Sequence, residues 1–463
     1  MKSMKWKNRC RTWPRSKALA IVQLAWALCF LSQVAKSAQH PDIIVILADD
    51  LGWADVGYHG SDIPTPSIDR MALGGVEMNR FYVAAMCTPT RASLMTGRYW
   101  SRFGNTNPSN SRVLPEDTAT LASVLTEAGY ATALTGKWHL GSNPDAGPNQ
   151  YGFQYSYGSL AGGVGPWLHT YKKGQYQQTW HRNGKFIHES GHVTDLIAAD
   201  AIKFISKAQN IDQPYFLYLP FTAVHNPLQE PDKWIHMASE LENDRPVYSA
   251  CVMHMDHVIG QILDQIESVK RDTLVIFFSD NGGTIHPTDS DNGNYPGAYA
   301  MNIPLGRNHP LRGRKTEPFE GGVRVPAIIY APAWLEARKI ETPFHVIDLM
   351  PTILSLAGIS HNPVNYRWDG SNRHNLIIGL TPDSPKSHAP FYWLGISRKS
   401  ETILDFPWKW IKFHNDNHPR EMLFNIEADP YESTDLSEFN KDIVEQMHEL
   451  CKSLSLSNDS SLP

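Results

Sequence analysis

The sequence is poor in cysteine, has no low-complexity block, repeats no fixed period and offers a single apolar run that approaches a membrane span. Five cysteines in 463 residues stand at Cys10, Cys29, Cys87, Cys251 and Cys451. That spacing excludes a disulfide scaffold and a cysteine-based metal motif. The missing period excludes solenoids and propellers. Acidic residues are absent from positions 1–37, where Lys2, Lys5, Lys7, Arg9, Arg11, Arg15 and Lys17 precede the run "ALAIVQLAWALCFLSQVA". Ala35 and Ser37 supply the small residues a signal peptidase requires, so residues 1–37 read as a signal peptide cleaved after Ser37. A retained signal anchor is the competing reading. Small residues after the run, and no second apolar stretch, favour cleavage. The expectation is an exported chain, secreted or periplasmic, or lysosomal in a eukaryote, with no stable membrane insertion.

Residues 1–37 hold eight of the 42 Lys and Arg and none of the 47 Asp and Glu. The remainder therefore carries 34 basic against 47 acidic residues, a formal −13 with neutral histidines. A body this acidic is a poor nonspecific partner for nucleic acid, and any anionic substrate needs a local cationic pocket.

Short apolar runs alternate with helical patterns, which predicts an α/β fold on a mostly parallel sheet. "DIIVILADD" (42–50) and "DTLVIFFSDNGG" (272–283) read as buried strands ending in carboxylates. "ATALTGKWHLG" and "QPYFLYLPFTAVHNP" read as strands running into turns that carry Lys137, His139 and His225. The stretch 285–310 reads as a long loop. Past about residue 375 the pattern changes to short antiparallel strands and a last helix, "KDIVEQMHELCKSL", with a loose tail from Ser455. The expected organisation is a catalytic α/β domain over 38–375 and a smaller α+β domain over 376–463.

In open α/β sheets ligands gather beyond the carboxyl ends of strands. Asp49, Asp50, Asp280 and Asn281 occupy two such ends, a set of hard oxygen ligands that suits Ca²⁺ or Mg²⁺ better than zinc. Without a cation these carboxylates would repel one another. In "MCTPTRASLMTGRY" (86–99), Thr88 reads as a helix N-cap and Pro89 as the first helical residue. That puts Cys87 at a helix N-terminus, where unpaired amides favour anions. Arg91 is close in sequence. Lys137, His139, His225 and Lys315 follow strands on separate turns; taken singly, each also reads as a surface charge or a satisfied histidine.

These residues carry a family resemblance. Cys87-Thr88-Pro89-Thr90-Arg91 resembles the Cys-x-Pro-x-Arg signature of the sulfatases, in which the cysteine is oxidised to formylglycine. "ILADDLGWADVGYHG" and "FSDNGG" resemble the family's two metal strands, and "ALTGKWHLG" its Lys/His turn. "LRGRKTEPFEGGVRVP" resembles its lysine loop and "LFNIEADPYESTDLS" its C-terminal motif. The likeness spans about residues 40–437 in family order.

The resemblance implies an alkaline-phosphatase-like fold and sulfate monoester hydrolysis. It implies one Ca²⁺ (or Mg²⁺) on Asp49, Asp50, Asp280, Asn281 and modified Cys87, and a formylglycine-generating enzyme as maturation partner. Arg91, Lys137 and Lys315 would bind formylglycine or sulfate oxygens, and His139 and His225 would act as base and acid. A hydroxyl of the hydrated aldehyde, activated by the metal and Asp280, would attack sulfur; the second hydroxyl would expel sulfate.

"FLYLPFTAVHNPLQEP" and "NHPLRGRKTEPFEGGVR" most resemble the arylsulfatase B type, which removes the 4-sulfate of N-acetylgalactosamine. Sulfated carbohydrate or an aryl sulfate is the expected substrate, and Gly162–Gly165 with Trp167 reads either as a sugar-site wall or as a plain surface loop. A two-zinc phosphatase would need further Asp/His ligands and a Ser or Thr nucleophile, which the sequence lacks. A formylglycine-dependent phosphonate or phosphate ester hydrolase stays open as the alternative. A non-catalytic glycan binder would have shed the cysteine, the strand-end acids or the histidines, and all are present.

Overall fold

The computed structural model describes residues 40–269, 271–286, 294–297, 299, 303, 305–360, 366–386, 388–414 and 420–459. The signal segment 1–37 and parts of the 285–310 loop lie outside the described residues. No described helix is long and apolar enough to cross a membrane.

The strands, in chain order, are β1 (Asp42–Ala48), β2 (Val76–Met78), β3 (Phe81–Tyr82), β4 (Ala131–Lys137), β5 (Tyr155–Ser159), β6 (Trp180–Arg182), β7 (Lys185–Phe186), β8 (Tyr215–Pro220), β9 (Thr273–Ser279), β10 (Ala327–Tyr330), β11 (Arg338–Ile340), β12 (Phe344–His345), β13 (Phe391–Leu394), β14 (Ser400–Asp405), β15 (Trp408–Phe413) and β16 (Arg420–Asn425). Ten of them form one sheet in the order β11-β2-β10-β9-β1-β8-β4-β5-β6-β7, while β3 pairs with β12. The centre, β9-β1-β8-β4-β5, is parallel, and antiparallel pairs enter toward both edges.

All seven residues of β1 are buried, as an apolar run covered on both faces requires. Its alternation divides the core in two. Ile43, Val45 and Leu47 meet the helices Cys87–Thr96, Leu121–Glu127 and Leu349–Leu356; Ile44, Ile46 and Ala48 meet Pro66–Gly74, Val193–Asn210 and Pro246–Glu267. Because the central strands are parallel, Asp49, Lys137, Asp280 and the loop after Pro220 emerge at the same edge of the sheet.

The strands β13-β14-β15-β16 form a second, antiparallel sheet. The helix Lys441–Asp459 packs on it through Met447 and Cys451, and it continues five residues into the segment expected to be a loose tail. Cys87, Cys251 and Cys451 are buried and free.

Candidate active site

The helix carrying the cysteine starts two residues earlier than the capping pattern predicts. It spans Cys87–Thr96, with Met86 in extended conformation at the N-cap and no side-chain cap. Thr88 does not cap because its hydroxyl is used elsewhere: it donates to the His139 carbonyl (3.3 Å) and accepts from the Ser109 amide (3.2 Å). The helix stops at Gly97, whose φ of 65° lets its amide return to the Ser93 carbonyl at 2.9 Å. Every residue of this helix is buried, so Cys87 is presented from a rigid element.

Three carboxylates and three cations interlock beneath the cysteine. Arg91 donates Nε and Nη2 to Asp280 Oδ2 at 3.0 and 2.7 Å, and Nη1 to the Lys137 carbonyl at 2.9 Å. The Lys137 ammonium pairs with Asp49 Oδ2. Lys315 Nζ bonds both oxygens of Asp50, at 2.7 and 2.8 Å. Asn281 donates to Asp50 Oδ1 (2.8 Å) and to the Gly282 carbonyl (3.0 Å), which fixes its amide plane. Asp50 and His139 are held at positive φ, 66° and 59°, as non-glycine residues at functional sites sometimes are.

Two acceptors in this network have no hydrogen-bond partner among the described residues: Asp49 Oδ1 and Asn281 Oδ1, both buried. Buried oxygens in folded proteins are almost always satisfied. Two such hard oxygens beside Asp50 and Asp280 suit a Ca²⁺ or Mg²⁺ ion. The donor set fits the ion. His225 Nε2 stands 3.8 Å from Asp50 Oδ2, and one ligand atom each of Asp49, Asp50 and His225 falls within a 4.8 Å group.

Above the network lies a cleft of about 570 Å³, lined by Asp50, Cys87, His139, His225 and Lys315 among others. Arg91, Lys137, Asp49, Asp280 and Asn281 are fully buried below its floor. All ten residues singled out in the sequence thus meet at one place.

The electrostatics give them unlike states. Burial raises the Asp50 carboxyl, but Lys315 and then His225 outweigh it and hold the group well below the ordinary carboxylate range. Asp280 is pushed up to about 6 by burial and by Asp49, against Arg91. Burial raises the Cys87 thiol in spite of Lys137 and Lys315, so the encoded residue is no thiolate nucleophile. Burial, then Lys137 and Arg91, drives His139 well below its usual value and keeps it neutral.

Several contributors were not legible in the sequence. Ser279 Oγ accepts from the Leu51 amide (3.0 Å), and Thr284 Oγ1 reaches Asp50 Oδ2 (3.2 Å). Gly162 lines the cleft, but Trp167 does not; its indole donates to the Gln229 carbonyl at 3.1 Å. The 222–230 loop that bears His225 is clamped from behind. His254 donates Nδ1 to Glu230 Oε2 (2.6 Å) and Nε2 to Asp195 Oδ1 (3.0 Å), and His192 Nε2 meets the Gln229 carbonyl at 3.2 Å. His192 Nδ1 accepts from the Thr194 amide (3.3 Å), so its other nitrogen carries the proton and offers no lone pair to a metal. The cluster is a polar clamp.

A parallel-centred sheet with carboxylates and a cysteine-bearing helix at one strand edge defines a hydrolase acting on anionic esters. Residues 41–359 match the Sulfatase family model, and the chain belongs to that family. It is 30% identical to arylsulfatase J of Mus musculus, over 91% of this chain and 76% of that one. It is 31% identical to N-acetylgalactosamine-6-sulfatase of Rattus norvegicus, over 87% of this chain and 77% of that one. Among solved structures, Ps i-CgsB in complex with k-i-k-neocarrahexaose is similar with a TM-score of 0.77 and 34% identity, covering 89% and 93% of the two chains. The PsFucS1 sulfatase from Pseudoalteromonas sp. shares the fold, with a TM-score of 0.75 at 23% identity over 98% and 96%. The chain is a sulfatase-family enzyme, a sulfuric ester hydrolase.

Proposed function

We propose that the chain removes sulfate from a sulfated carbohydrate, using residue 87 after its oxidation to formylglycine and one divalent cation held by Asp49, Asp50, Asp280 and Asn281. The observation that carries this reading is the pair of orphaned oxygens, Asp49 Oδ1 and Asn281 Oδ1, buried beside a cysteine that is not a thiolate. The cation would act as a Lewis acid toward a sulfuryl oxygen. The hydrated aldehyde would supply the attacking hydroxyl and a second one whose deprotonation releases sulfate.

The chain's own residues do the rest. Asp49, Asp50 and Asp280 are each matched by one of Lys137, Lys315 and Arg91, so the protein site is near neutral before a cation adds positive charge. That surplus draws a sulfate monoester into an otherwise acidic protein and stabilises charge on the sulfuryl oxygens. Neutral His139, which lines the cleft together with residue 87, accepts a proton. His225, whose Nε2 stands 3.8 Å from Asp50 Oδ2, donates one to the departing alcohol oxygen.

The carbohydrate assignment draws on relatives whose names or bound ligands are sugar derivatives. Two segments resemble the arylsulfatase B type, which removes the 4-sulfate of N-acetylgalactosamine, whereas the rat relative is named for the 6-sulfate, so both esters belong in the substrate panel. Export by the 1–37 segment and maturation by a formylglycine-generating enzyme complete the proposal.

Intact mass spectrometry of protein from an exporting host tests it, because formylglycine weighs less than cysteine. The mass loss at residue 87 should accompany sulfate release from 4-nitrophenyl sulfate, with slower turnover of 4-nitrophenyl phosphate. Cys87→Ala should abolish both and leave the melting temperature nearly unchanged. An unmodified, fully active Cys87, or faster phosphate turnover, overturns the reading.

A further inference from the structure

Asn308 stands outside the ten residues that meet at the cleft and is not among the described residues that line it. It is buried, and its one side chain is bonded to three separate segments. Oδ1 accepts from the Gly283 amide at 2.8 Å and from the Trp53 amide at 3.4 Å. Nδ2 donates to the Gly283 carbonyl at 2.9 Å and to the Gly313 carbonyl at 3.3 Å.

Each of these anchors is close in the chain to a group of the site. Gly283 follows Asn281 by two residues, Trp53 follows Asp50 by three, and Gly313 precedes Lys315 by two. The Gly283 carbonyl also accepts from the Lys315 amide at 3.3 Å, so the asparagine and the lysine share one acceptor. The pairing of β1 with β9 ends at Ala48 and Ser279. Past that point the ladder no longer fixes how Asp50 lies against Asn281, and other bonds must do so.

The crossing of the two strand exits explains why a third segment supplies them. A Cβ on Gly283 would fall 2.9 Å from the Gly52 Cα, and a Cβ on Gly52 would fall 2.2 Å from the Arg307 carbonyl oxygen. Side chains are shut out there, yet the buried backbone groups still need partners. A primary amide offers an acceptor and donors together, so Asn308 serves both the N–H and the C=O of Gly283, as a neighbouring strand would. Its own backbone is held in place beside it. The Arg307 amide donates to Asp55 Oδ2, the Ala54 amide to the Arg307 carbonyl and the Leu311 amide to the Asn308 carbonyl, each at 2.9 Å.

We infer that Asn308 is a positioning residue for the cation site and for Lys315. It sets the spacing of Asp50 from Asn281 and holds the lysine segment where Nζ reaches both oxygens of Asp50. It touches neither substrate nor cation and acts through the backbone of Trp53, Gly283 and Gly313. This inference rests on the sulfatase reading above and on its cation, and adds the residue that keeps that site in register.

Calcium titration calorimetry on the chelated full chain, beside kinetics on 4-nitrophenyl sulfate at saturating calcium, tests it. Asn308→Ala should bind calcium about tenfold or more weakly than wild type, the usual scale when a group that orients metal ligands is removed. KM for the ester should rise about threefold or more, part of the worth of one hydrogen bond to a charged group, because Lys315 loses its placement. Should Asn308→Ala fold poorly, Asn308→Asp keeps the bonds from the two amides and loses those to the two carbonyls. Its calcium affinity should then fall less than that of Asn308→Ala, with KM still raised. Wild-type calcium affinity and KM in a merely destabilised Asn308→Ala, or a wild-type KM in Asn308→Asp, overturn the assignment and leave Asn308 a structural joint. A wild type that binds neither calcium nor magnesium overturns the cation of the parent reading instead, and the KM comparison still decides whether Asn308 places Lys315.

Discussion

Arg91 gives two hydrogen bonds to the same oxygen of Asp280, Oδ2, at 3.0 and 2.7 Å. The other oxygen, Oδ1, receives only a long bond from the Asp50 amide, at 3.3 Å. One side of the carboxylate is thereby spent on positioning, and the other is left toward Asp49, Asp50 and Asn281. Burial, and after it Asp49, raise Asp280 against Arg91, so a cation between these carboxylates would relieve their mutual repulsion.

Calcium should therefore stabilise the protein. At a free concentration of a hundred times its dissociation constant, an ion bound only by the native state adds about 2.7 kcal/mol. Thermal melts with and without calcium, after chelation, should differ by several degrees. Asn281→Ala removes an orphaned oxygen without changing charge, and should shrink that difference. Identical melts of the chelated and loaded wild type would refute the site.

Gly162 predicts a kinetic defect of steric origin. A Cβ there would lie 2.2 Å from His139 Nε2, and the backbone is not in the left-handed region. Gly162→Ala should thus fold, displace the imidazole and lower kcat/KM about a hundredfold, the usual scale for a misplacement near 1 Å. The same change made on top of His139→Ala should cost little more, because the ring it displaces is already gone. Full additivity of the two changes would show that Gly162 acts through something else.

These cases show what the sequence made legible. Apolar runs ending in Asp-Asp and Asp-Asn announced both buried strands and the polar groups at their ends. The short strands and last helix of the C-terminal segment were likewise readable from period. The start of the Cys87 helix was misjudged because Thr88 has long-range partners, the His139 carbonyl and the Ser109 amide, that outrank capping. Gly162 read either as a sugar-site wall or as a surface-loop glycine, and its reason for being glycine, a ring 23 positions away in sequence, had no local signature. His254 had no sequence signal of its own, since only the fold brings Glu230 and Asp195 to it. The same holds for Asn308, on which Trp53, Gly283 and Gly313 converge from separate loops.

The clamp behind the His225 loop carries a pH signature. Burial lowers the affinity of His254 for its proton, but Glu230, and after it Asp195, reverse this and leave the pKa raised. A raised folded-state pKa contributes stability that is fully present below the unfolded value, about 6.5, and is lost as pH rises through the folded value. His192, Trp234 and Cys251 also face this group, and none supplies a compensating negative charge. The stability advantage of wild type over His254→Gln, from urea melts at several pH values, should be largest in acid and shrink toward alkaline pH. A gap that widens with pH would overturn the assignment of an imidazolium.

The four-stranded sheet is held to the Glu320–Val323 helix and to Tyr82 on β3 by a buried ion cluster, and breaking it should be costly. Lys409, on β15, lies 2.9 Å from Glu320 Oε1 and 2.9 Å from Glu432 Oε1, and all three side chains are inaccessible to solvent. Tyr82 donates to Glu320 Oε2 at 3.0 Å, and the Glu320 amide to Glu432 Oε2 at 2.7 Å. Lys409→Met keeps the volume but strands two carboxylates in the interior, so about 3–5 kcal/mol should be lost. Adding Glu320→Gln and Glu432→Gln removes the stranded charges and should recover part of it. Glu320 opens the short helix Glu320–Val323, five residues past Lys315, so loosening this junction frees the segment that neutralises Asp50. Denaturant unfolding of the single and triple variants, followed by tryptophan fluorescence and by sulfate release, should show stability and activity lost in the same transition. A cost below about 1 kcal/mol for Lys409→Met would mean that water reaches the cluster and that it does not hold this junction together.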